Sequence, residues 1–84
     1  MARYAVYLHF DLLESVPVRG EHRRRIMDFV RSLADQPNTP GDYTDTDESL
    51  RTRQIKIVGK YVVTYWVDEP VRIVMVVGVR PANR

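Results

Sequence analysis

Hydrophobic side chains recur along this 84-residue chain with two different periods, and the change of period divides it into elements. Tyr4, Val6, Leu8 and Phe10 alternate with Ala5, Tyr7 and His9, the period of two of a strand with one buried face. Asp11 is placed to cap a short helical turn through Leu12, Leu13 and Glu14. Pro17 ends that turn by crowding the residue before it out of the helical region. From about Arg19 to Asp35 the period lengthens, with Ile26, Phe29, Val30 and Leu33 three and four apart, the stripe of an amphipathic helix. Arg24, Asp28, Arg31 and Ser32 take the other face, with Arg24 and Asp28 at the i,i+4 spacing of a surface ion pair. Pro37-Asn38-Thr39-Pro40-Gly41 cannot continue a helix, and a polar loop is expected from there to about Ser49.

Three runs of β composition follow: Arg51 to Val58, Lys60 to Val67 and Val71 to Val79, separated by Gly59 and by Asp68-Glu69-Pro70. Nine of the thirteen valines lie between Val58 and Val79, and β-branched side chains suit a pleated, half-buried surface. The short connections predict hairpins, and so an antiparallel meander of the last three strands. The predicted fold is α+β, in the order βααβββ, with the long helix packed on one face of the sheet and residues 1–84 as a single domain. Alternation sorts the last strand into Val71, Ile73, Met75, Val77 and Val79, the expected core row, and Arg72, Val74, Val76, Gly78 and Arg80. In the second strand Ile55 and Ile57 oppose Gln54, Lys56 and Val58. The third is partly apolar on both sides, as a central strand is.

Composition removes several chemistries. The chain has no cysteine, which excludes disulfide stapling, thiolate catalysis and Cys-based metal sites. No apolar run approaches the roughly 18 residues of a membrane span. Met1 to Phe10 lacks the long apolar segment of a secretory signal, so a cytoplasmic location with no membrane partner is expected. His9 and His22, thirteen positions apart, give no metal-ligand spacing. They are expected in structural or surface roles, and no metal or cofactor is expected.

The net charge of +2 joins unlike segments: residues 37–50 carry four acids and no base, whereas residues 51–84 carry seven bases and two acids. Eleven of the thirteen bases are arginine, whose planar fork suits bidentate contact with phosphate. If the face away from the helix gathers Lys56, Lys60 or Tyr61, Arg72 and Arg80 with Tyr65 or Trp66, it is a basic surface with stacking groups. Such a surface can grip a phosphate and a splayed base. The same aromatics also suit core or edge packing. Asp42, Asp45, Asp47 and Glu48 either pair with Arg51 and Arg53, screen the basic surface, or form a solvated loop.

Taken together, three stretches resemble the RelE/ParE family of toxins from bacterial type II toxin-antitoxin modules. They are the helix ending in Leu33, Ala34 and Pro37, the Gly59-Lys60-Tyr61-Val62-Val63-Thr64-Tyr65 hairpin, and the strand closing on Gly78-Val79-Arg80. The resemblance covers nearly the whole chain and implies a RelE-like α+β fold and a cognate antitoxin as partner. It leaves two targets: ribosome-bound messenger RNA, cut by an endoribonuclease of the RelE branch, or DNA gyrase, poisoned by the ParE branch. A degenerate, non-catalytic protein-binding member and a stand-alone RNA-binding module are the other readings, and a small core also admits support from a second copy of the chain.

Carried over residue by residue, the resemblance implies Lys56, Arg80 and Tyr61 as catalytic residues. Arg53, Lys60, Tyr65, Arg72 and Arg84 are implied RNA contacts. In-line attack of a ribose 2′-OH needs a proton acceptor and cations on the phosphate, roles implied for Lys56 and for Arg80 with Arg72, with Tyr61 or Tyr65 stacking on a base. Val62 stands where many members carry arginine, and no Tyr or His follows Tyr65.

Overall fold

The computed structural model describes residues 3–82. Its elements run β1 (Ala5–Leu8), a 3₁₀ helix (Phe10–Ser15), α1 (Glu21–Ser32), β2 (Tyr43–Thr46), β3 (Thr52–Val58), β4 (Tyr61–Asp68) and β5 (Ile73–Pro81). The five strands form one sheet in the order β1-β5-β4-β3-β2. Neighbours from β2 to β5 are antiparallel and β1 is parallel to β5, so the sheet is mixed. The α+β class and the meander of the last three strands agree with the sequence reading; the number of strands and of α-helices does not.

The first expected helix is a single stretch of 3₁₀ structure. It is capped by His9, whose Nδ1 accepts from the Asp11 N–H at 3.1 Å. Asp11, the cap expected from sequence, instead lies inside the first turn. The expected long helix is α1, with Ile26, Val30 and the following Leu33 buried and Phe29 packed beside them.

The expected polar loop contains β2. Tyr43-Thr44-Asp45-Thr46 shows no apolar alternation because β2 is an exposed edge strand with no face to bury. Strand β3 templates it, with Tyr43 opposite Ile55 and Asp45 opposite Arg53. Gly41 lets the chain approach, since a Cβ there would stand 2.6 Å from the Ile55 backbone.

The core row of β5 is the reverse of the one expected. Val74 and Val76 are buried, whereas Met75 is only partly covered and Val77 is exposed. A bulge explains how Val79 is nevertheless buried: Thr64 pairs with Gly78 and Tyr65 with Val76, leaving Val77 as the extra residue. An inserted residue shifts alternation by one, so two successive rows of valines both reach the core. The core thus comprises Val16, Ile26, Val30, Leu33, Val63, Tyr65, Val74, Val76 and Val79.

Candidate functional site

Helix α1 meets β3 and β4, and the 3₁₀ helix meets β5. They cover one face, and no described element packs on the other. Side chains alternate between faces along each strand, so register lays out the uncovered face in cross-strand rows. Tyr7, Met75 and Trp66 form one row; Gly78, Thr64, Ile55 and Tyr43 a second; Arg80, Val62 and Ile57 a third. Tyr7, Tyr43 and Ile57 are exposed on it. These rows form an apolar and aromatic surface with Arg80 at one end.

At the β2 side this surface is bordered by ion pairs. Arg53 Nε and Nη2 donate to the Asp45 carboxylate at 2.8 and 2.7 Å, and this fork lowers the Asp45 pKa. Asp47 accepts from the backbone N–H groups of Arg51 and Ser49, each at 2.9 Å, and from Arg51 Nε at 2.8 Å. Its pKa is lowered, first by the Arg51 backbone N–H and also by the Arg51 guanidinium. The Arg51 guanidinium lies 4.4 Å from the centre of the Trp66 ring, a cation–π contact that covers part of the indole. Asp42 accepts from the Ile57 N–H at 2.8 Å, and its other oxygen lies 3.8 Å from Lys56 Nζ. The acidic segment therefore pairs with all three bases of residues 51–56.

The structure does not bring the sequence-predicted site residues together. Lys56 pairs with Val63 and Arg80 with Val62; since Val62 and Val63 are neighbours on β4, Lys56 faces the helix layer and Arg80 the open side. Tyr61 is on the helix side, where its ring meets His22 at 5.7 Å. Lys60 lies in the β3–β4 turn and is exposed. Tyr65 is buried in the core, with its hydroxyl donating to the Thr39 carbonyl at 2.8 Å, so it has no free face for a base. Arg53 is tied to Asp45 on the open face. Arg72 occupies the β4–β5 turn at the opposite end of the sheet from Lys60 and Arg80. Arg84 lies outside the described residues. The expected single basic face is corrected by register: two consecutive residues of one strand cannot direct their partners to the same side.

Lys56, Tyr61 and Lys60 do share the hairpin end, joined there by His22. The His22 Nδ1 is buried without a hydrogen-bond partner and would be 3.4 Å from a Cβ on Gly59. His22 stands four residues before Ile26, in line with the buried stripe of α1, and that spacing is the sequence signal for its partial burial. Ile55 and Met75 are apolar residues of expected strands and so read first as core, whereas Tyr43 falls in the expected polar loop. Compared with known proteins, the chain matches no family model, no curated protein and no solved structure.

Proposed function

We propose that this chain is the toxin of a type II toxin-antitoxin module of the RelE/ParE kind, and that it acts inside the cell by binding a protein through its open sheet face. A cognate antitoxin silences it by covering that same face. The observation that carries this reading is the uncovered surface of Tyr43, Ile55, Ile57, Trp66 and Met75 on so small a fold. A contiguous apolar surface rimmed by charged groups marks a protein-binding site. The opposed directions of Lys56 and Arg80 speak for a non-catalytic member, with DNA gyrase as the target class implied by the ParE branch. RNA cleavage is the second reading, favoured by one observation: the Tyr61 ring lies against His22 at the hairpin end that also carries Lys56 and Lys60, residue types that can serve a phosphoryl transfer.

Induced expression in a bacterial host separates the readings. Growth arrest with DNA damage and intact messengers is expected, relieved by Ile57→Asp and by co-expression of a small neighbouring antitoxin gene, and retained in Lys56→Ala. Messenger cleavage at ribosome-positioned codons, lost in Lys56→Ala, would establish the second reading. Normal growth on expression of the soluble, folded chain would overturn both.

A further inference from the structure

The ion pairs along β2 and β3 change where the molecule is basic. Arg51, Arg53 and Lys56 each have an acidic partner, so most of the positive charge of that segment is answered locally. Among the described residues, the bases with no carboxylate within ion-pair distance are Lys60 and Arg80 at the hairpin end of the sheet, Arg72 at its other end, and Arg19 and Arg23 side by side at α1. Arg19, Arg23, Arg24 and Arg31 line an open groove of about 360 Å³ on the outer surface of α1, with Met27 and Val18 between them. Arg24 and Arg31 are paired with Glu21 and Asp28. Among the described residues, no carboxylate lies within ion-pair distance of Arg19 or Arg23. Arg23 is also held in place, with Nη1 donating to the Pro17 carbonyl at 3.2 Å, which leaves its other N–H groups available.

We infer that this groove is a docking strip for the phosphate backbone of a single-stranded nucleic acid. Arg23 and Arg31, eight residues apart on α1, stand about 12 Å apart along the helix axis, and Arg19 reaches the same groove from just before the helix. They form a row of forked donors rather than a single pocket, as a repeating phosphate chain requires. A protein partner is the poorer fit, because the apolar anchors it needs are on the opposite side of the sheet and the groove offers only Met27 and Val18. The strip reads no base, so its binding is sequence-tolerant and strongly salt-dependent. It does not rest on the toxin reading: a chain that fails to arrest growth can still bind through α1.

The test is fluorescence anisotropy of the full chain with a labelled oligouridylate of about a dozen nucleotides across a salt series. The double variant Arg19→Gln/Arg23→Gln is expected to bind at least roughly tenfold more weakly at low salt. Its slope of log K against log salt should shrink by roughly 1.4, at about 0.7 for each lost phosphate contact. Arg19→Gln alone, which leaves the Arg23–Pro17 contact intact, should lose about half of that slope. Arg3→Gln, whose partner is Asp35 at 2.8 Å, should bind as the parent does. Equal loss in the Arg3 control would mean diffuse charge and overturn the proposal. So would an unchanged slope in the Arg19 variant, or equally tight, Arg19-dependent binding of polyglutamate or of phosphatidylserine vesicles.

Discussion

Gly41 has no room for a side chain, because the chain there runs against the Ile55 backbone before β2 begins. Read from sequence, this glycine is one of several residues that end a helix. In the fold it permits a close approach that docks the edge strand. Gly41→Ala should cost about 1–3 kcal/mol through forced displacement of β2, measurable by denaturant unfolding; an unchanged midpoint would show that β2 docks without this approach. Tyr65 shows the same shift of meaning. Its aromatic ring suggested stacking on a base, yet burial pushes its pKa up to about 12 and its hydroxyl holds the Thr39 loop. In such a site the tyrosine is structural, and its polar end explains why a core position carries Tyr rather than Phe.

At the scale of elements, α1 was readable because its stripe is long and each buried position repeats the signal. The β5 strand was not. A run of apolar, mostly β-branched residues from Ile73 to Val77 offers no contrast between faces, and a bulge then changes the face partway along. This gives a sharp expectation. Val76→Asp should unfold the protein or remove about 4 kcal/mol or more, since it buries an unpaired charge. Val77→Asp, at the exposed bulge, should cost about 1 kcal/mol or less. Thermal melts of the two variants decide the register; the opposite ranking would restore the row expected from simple alternation. Strand β2 was illegible for a different reason: an exposed edge strand has no face to bury, and so leaves no hydrophobic period.

For the whole molecule, charge pairing predicts how stability responds to pH. Asp45, Asp47 and Glu21 are all held below their ordinary pKa by arginine partners and, for Asp47, first by a backbone donor. Lowered folded-state values mean that their stabilisation is present above about pH 4 and is lost as pH falls through those values. Tyr65 has the opposite sign: with its folded value raised to about 12 from 10.0, its stabilisation is complete below pH 10.0 and declines as pH climbs to about 12. Melting temperature should therefore fall at both extremes. Asp45→Asn should flatten the acid limb, while Tyr65→Phe should flatten the alkaline one and cost about 1 kcal/mol at neutral pH through the lost hydrogen bond. Limbs unaltered in both variants would contradict these assignments. By itself the sequence determined the α+β class, the amphipathic helix, the meander of the last three strands and the contrast between an acidic segment and a basic one, because each is written in local period or composition. Only the tertiary structure decided which face of the sheet is covered, that β1 lies parallel beside β5, and that Lys56 and Arg80 point apart. Those outcomes depend on pairing between residues distant in the chain, where one inserted residue exchanges the two faces of a strand.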